Sequence, residues 1–249
     1  MNTHTLALYA CAAAVVVPGT RIVVEQLGGD RIGPRRLLVA LWRPIPMAAA
    51  VMVGVMAAMA VVQTVVPGAV PRLERSPDGG PWRVVTALLV QTSGWGQLLF
   101  NLAALAVVAA AAERRLGSLW MPVVFLVSGV AAHVVSTLGW SVHGGGDSVG
   151  ICGLVGALAA CDALGTRQRT HRMAALLVPV SGVALCLMQN NHSVGVLTGA
   201  VLGAALHSAT RGDGPRWVAA RSQESAEGHS DARFSVTGRR HRPDTGPYA

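Results

Sequence analysis

Apolar residues run along this chain in long unbroken blocks parted by short polar stretches, not in the alternating or one-faced patterns of a water-surrounded domain. A bilayer core about 30 Å thick takes about 20 residues of helix at 1.5 Å each. Six blocks meet or approach that length: Pro46–Val66, Trp95–Ala112, Leu119–Leu138, Ser148–Leu164, Met173–Met188 and His192–Ala209. They predict six membrane-spanning helices. A seventh block, Leu6–Val17, is twelve apolar residues that stop at Pro18-Gly19. It spans only if Thr3–Val24 is used, with Arg21 near its end; a helix lying in the membrane interface is the alternative. No basic residue precedes the block, which disfavours a signal peptide.

Composition agrees. Of 249 residues, 52% are hydrophobic and 13% charged, about half the roughly 25% charged share of a soluble domain. The fold class is therefore an all-α polytopic membrane protein. The net charge of +8 is carried by arginine alone, for the chain has no lysine. Basic chains often bind nucleic acid, but these arginines cluster between apolar blocks. Arg21, Arg31, Arg35, Arg36 and Arg43 precede the first long block, Arg114 and Arg115 follow the second, and Arg167, Arg169 and Arg172 follow the fourth. Arg211 and Arg216 follow the sixth. Gly139–Asp147 and Gln189–Asn191 hold none, and Val70–Arg83 offsets its few with Glu74 and Asp78. The positive-inside rule explains this parity, with membrane lipid and no nucleic acid as the expected surroundings. It divides the chain into residues 1–45, an N-terminal apolar segment and basic cytoplasmic loop; 46–209, the transmembrane domain; and 210–249, a cytoplasmic tail of disordered composition. A bacterial plasma membrane is the expected location. Cys11, Cys152, Cys161 and Cys186 lie in apolar blocks without metal or disulfide spacing, and read as buried, inert thiols.

The candidate chemistry sits in "HGGGDSVGICGLVGA", His143 to Ala157, where a polar loop becomes an apolar helix. Gly146-Asp-Ser148-Val-Gly150 is G-x-S-x-G, but the strand that a nucleophile elbow requires is missing from the pattern. With alternating topology, the second, fourth and sixth spans all start at the outer face, so Asn101, Ser148 and His192 share one depth. Gly195, Gly199 and Gly203 repeat every four residues after His192, and Gly153, Gly156, Ala157 and Ala160 offer a small-residue face after Ser148. Such stripes often mark packing alone, and a serine at a helix start is often only a cap. If the two faces meet, Ser148 reaches the His192 imidazole, a base suited to activating a hydroxyl. Asp162 lies towards the other end and Asp147 adjoins the serine, so a Ser-His dyad is expected. His133, in mid-span, reads as a packed or hydrogen-bonded core residue.

These residues resemble the rhomboid family of intramembrane serine proteases. The resemblance rests on Trp82-Arg83, "QLLFNLAAL", "AERRLGS", "GDSVGICGLVGA" and "HSVGVLTGAVLG", in that order, from about Trp82 to Leu206. It implies a rhomboid-like six-helix core, leaving open one extra N-terminal helix, and a water-filled site open to the outside. It implies Ser148 as nucleophile, His192 as base, and an oxyanion held by Asn101 and the Ser148 backbone N–H. Glu113 and Arg115 match a structural pair at the cytoplasmic side, and Trp82-Arg83 a loop at the membrane interface. Transmembrane protein substrates would be cut near small, helix-destabilising residues, without metal or organic cofactor.

Five positions depart from the family pattern. Gln97 stands where a histidine is usual and keeps an N–H donor for the oxyanion; Gln91 replaces another histidine. Val149 replaces a glycine, Cys152 an aromatic residue, and Asp147 a small residue, placing an anion beside the serine. They define a rival reading, a catalytically inactive rhomboid-like protein that binds transmembrane clients. A small transporter or channel would place more charge inside its spans than Asp162 alone. Water must reach Ser148, so Gly144–Gly146 is expected to form part of a flexible rim.

Overall fold

The computed structural model describes residues 3–26 and 34–212. Ten α-helices account for most of them, and among the described residues there is no β-strand, only a single bridge between Arg75 and Gly144. The order is α1 (Thr3–Gln26), α2 (Pro34–Trp42), α3 (Met47–Val65), α4 (Ala69–Leu73), α5 (Arg83–Thr86), α6 (Trp95–Leu116), α7 (Trp120–Val135), α8 (Ser148–Gly165), α9 (Arg169–Leu187) and α10 (Asn191–Gly212). The chain divides into two units, Met1–Ser208 with the helical bundle and Ala209–Ala249. The expected disordered tail falls on residues 213–249, outside the described ones.

Among the described residues, six helices are long and apolar enough to cross a membrane: Met47–Val65, Trp95–Leu116, Trp120–Trp140, Ser148–Gly165, Arg169–Leu187 and Asn191–Thr210. The protein is an integral membrane protein. Two ends differ most from those the hydropathy predicts. α6 continues through Arg114 and Arg115 to Leu116, and α9 starts at Arg169 instead of Met173. Backbone hydrogen bonding carries a helix past its apolar stretch, and arginines at a membrane edge keep their charge in water. α7 ends in a π-helical turn, Ser136–Trp140, that Gly139 closes at φ 136°.

α1 also differs. It does not stop at Pro18 but runs unbroken for 24 residues. Its apolar part, Ala13–Val24, is shorter than a span. Val15, Ile22 and Val23 are buried in the main core, and the helix packs on α9, α8 and α6.

α8 is the centre of the bundle, packed by α6, α7, α9 and α1. Glycines allow this crowding. Gly150 faces the Phe125 ring and Gly153 the Ser128 side chain on α7, while Gly156 lies against the Val196 carbonyl of α10. On α10, a Cβ at Gly195, Gly199 or Gly203 would collide with the backbone at Val149, Gly153 or Ala157 in turn. Two helices thus run backbone to backbone over three successive turns, the contact that small residues permit in lipid.

Candidate active site

That close contact brings the first residue of α8 to the second of α10. Ser148 Oγ lies 2.9 Å from His192 Nε2, across 44 positions of sequence. Asn190 Oδ1 is 2.9 Å from the other ring nitrogen, Nδ1, and accepts the His192 backbone N–H at 3.0 Å. An amide oxygen only accepts, so Nδ1 carries the proton and Nε2 is left to accept from the serine hydroxyl. Asn190 is thereby both the N-cap of α10 and the orienter of the ring. The turn that delivers it is short, with Gln189 at φ 54°. Asn190 was not singled out from sequence. Its signal is a capping residue two positions before the histidine.

The loop ahead of Ser148 is anchored along its length. Arg75 is buried, and its guanidinium donates to the carbonyls of Ser141 (2.7 Å), His143 (3.5 Å) and Gly144 (3.2 Å). Its backbone N–H donates to the Gly144 carbonyl at 3.0 Å. Burial pulls this guanidinium below its usual pKa. Thr92 Oγ1 exchanges hydrogen bonds with the Gly145 backbone, and the Gly146 N–H donates to the Ala87 carbonyl at 2.9 Å. The expected flexible rim is thus a pinned segment, because the stretch between α3 and α6 supplies a partner at each glycine.

Asp147 is also buried, and its carboxyl turns towards Gln91, whose Nε2 donates to Oδ1 at 2.5 Å. Asn101 Nδ2 in turn donates to Gln91 Oε1 at 2.9 Å. Burial pushes the Asp147 carboxyl up to about 6, against the hydrogen bonds from Gln91 and Asn101 that lower it. Gln91 therefore joins Asp147 to Asn101. Gln97 is placed differently. Its Oε1 accepts the Ser93 N–H at 3.1 Å, and its Nε2 and Ser148 Oγ border the same space beside Gly146.

Ser148, His192, Gln97 and Asn101 all line one cavity of about 640 Å³. Against this geometry, the family model for the rhomboid domain matches residues 78–209, more than half of the chain. The chain belongs to the rhomboid family. No curated protein matches it.

The remaining motif residues of this rhomboid domain lie away from the cavity. The Arg83 guanidinium sits 5.4 Å from the Trp82 ring centroid and donates to the Pro71 and Glu74 carbonyls, while Trp82 is half exposed. Glu113 and Arg115 reach different partners. Glu113 accepts the backbone N–H groups of Ala48 (3.3 Å) and Ala49 (2.7 Å) and the Ser118 hydroxyl (2.6 Å), placing an anion at the start of α3. Arg115 Nη2 lies 3.4 Å from His207 Nδ1. The helix start that Glu113 meets is far away in sequence, which is why the short motif suggests a pair instead.

Val149 is buried beside Leu88 and Ala132, away from the cavity, so its β-branch does not crowd Ser148. Cys152 lines the cavity, and with Cys186 it is only partly buried; Cys161 alone of the described thiols is fully buried. His133 is a buried core residue, with the Gly146 backbone beside its ring.

Proposed function

We propose that this rhomboid is an intramembrane serine endopeptidase that hydrolyses peptide bonds of transmembrane proteins. The observation that carries the reading is the 2.9 Å Ser148–His192 contact with Asn190 on the far ring nitrogen. His192 Nε2 takes the hydroxyl proton as Ser148 Oγ attacks the carbonyl carbon. The imidazolium returns that proton to the leaving amine, and water then repeats the cycle on the acyl-enzyme. Gln97 Nε2, Asn101 Nδ2 and the Ser148 backbone N–H are the donors we assign to the oxyanion, all three residues lining the cavity. The arginine-rich ends of α6 and α9 are taken as cytoplasmic, in a bacterial plasma membrane.

A fluorophosphonate probe on the purified protein tests this reading. Covalent labelling is expected, and its loss in both Ser148→Ala and His192→Ala. Absence of labelling in the wild type overturns it and favours a catalytically inactive protein that binds transmembrane clients. The feature that favours this rival is the buried Asp147 beside Ser148, with the Asn101 amide drawn into its network.

A further inference from the structure

The cavity that holds Ser148 and His192 has a wall that the six spans do not supply. Three helices line it with stripes at helical spacing: Gln97, Asn101 and Ala104 on α6; Ser148, Cys152 and Val155 on α8; and Val15, Gly19 and Val23 on α1. α1 thus stands across the space between α6, α8 and α9. At Gly19 it comes close to α8, where a Cβ would stand 2.7 Å from Val155 Cγ1.

We propose that α1 is an occupant in cis of a groove that receives a client transmembrane helix, and that a client reaches Ser148 by displacing it. This rests on the reading of Ser148 and His192 as the site at which clients act. Three observations separate α1 from a permanent wall. It leaves a cavity of about 640 Å³ at its side, whereas α10 meets α8 backbone to backbone. Its ladder lacks one bond at Pro18, which has no N–H to give the Ala14 carbonyl. Two residues on, the Thr20 hydroxyl bonds back to the Val16 carbonyl at 2.8 Å, a contact that loosens and bends helices.

The occupant also describes the ligand. A helix with valines flanking a small residue, interrupted by proline and glycine, fits against Val155 of α8. A client needs the same: an apolar helix with glycine at the position facing Val155 and a weak point in its hydrogen-bond ladder. As part of the same chain, α1 competes intramolecularly, at an effective concentration on the order of millimolar. Only clients concentrated in the same bilayer displace it, so this competition sets a threshold for access.

The test locks and unlocks α1 in the full chain. An ideal Cβ on Gly19 lies 3.8 Å from Val155 Cβ, the separation of a disulfide, roughly 3.8 Å. Gly19→Cys/Val155→Cys is made with Cys11, Cys152, Cys161 and Cys186 replaced by alanine and with Ser148→Ala. The probe is a synthetic leucine-alanine helix of about 20 residues with a central Val-Pro-Gly-Thr and a benzophenone. In vesicles, mild oxidation is expected to cross-link the two positions, and the peptide to slow that reaction about tenfold. Photo-cross-linking of the peptide should fall about tenfold on oxidation and return with reductant. A cross-link that does not form, or that is indifferent to the peptide, overturns the proposal, as does equal peptide capture by locked and unlocked protein. Catalysis enters none of these readouts, so a failed fluorophosphonate experiment removes the protease reading without deciding this one.

Discussion

Asp147 places an acid in a buried position directly before the serine, where burial pushes its carboxyl from the ordinary 3.8 up to about 6. A carboxyl raised in the folded state binds more protons folded than unfolded between those two values. Stability therefore falls as pH rises through that window and levels off above it. Asp147→Asn keeps an oxygen to accept from Gln91 and removes the buried charge. Its thermal midpoint should exceed that of the wild type at pH 7.5 by a few degrees, with the gap closing below pH 5; differential scanning fluorimetry in detergent reads both. An equal gap at both pH values would mean that ionisation is not the cause. Asp147 was legible as an anion beside Ser148. The direction of its side chain was not, because that depends on Gln91, 56 positions away.

Between elements, the contact that decides most is α8 against α10. A Cβ at Gly199 meets the Gly153 carbonyl of α8, a rigid backbone atom that no rotamer change moves aside. Gly199→Leu should part the two helices about two turns beyond His192, draw Ser148 and His192 apart and reduce fluorophosphonate labelling to background, with membrane insertion intact by protease protection. Labelling at the wild-type rate would mean the glycine stripe is not what joins the pair. The stripe can be read from a period of four. Its partner face cannot, since the small residues of α8 serve α7 at Gly150 and Gly153 and α10 at Gly156. α1 shows the reverse case. Pro18-Gly19 reads as a stop, yet packing on α8 and α9 holds the helix through it.

At the scale of the whole molecule, side chains from distant elements fasten each end of the bundle. At one end Glu113 joins α6 to the start of α3. At the serine end Arg75 joins the loop after α3 to the glycine segment before Ser148. Hydrogen bonds to a charged group contribute about 1.5–3 kcal/mol each, and a buried carbonyl left without a donor costs a similar amount. Arg75→Met should lower the thermal midpoint by several degrees and reduce Ser148 labelling more than Arg72→Met, an exposed change three residues away. Equal effects of the two variants would remove Arg75 from its anchoring role. From sequence Arg75 reads as a loop charge offset by Glu74, because nothing local distinguishes a buried arginine from a solvated one.

The sequence by itself determined that six helices cross the membrane and roughly where each begins and ends, since bilayer thickness acts on each segment separately and leaves its length in the apolar pattern. It also marked Ser148, His192 and the glycine stripe, by their place at two helix starts of the same depth and by a period of four. Only the tertiary structure decided what those residues touch. The roles of Asn190, Gln91 and Arg75, the different partners of Glu113 and Arg115, and the place of α1 beside the cavity all follow from approaches between elements. Hydrogen bonds and close packing act over about 3–4 Å of space regardless of sequence separation, so a one-dimensional pattern carries no record of them.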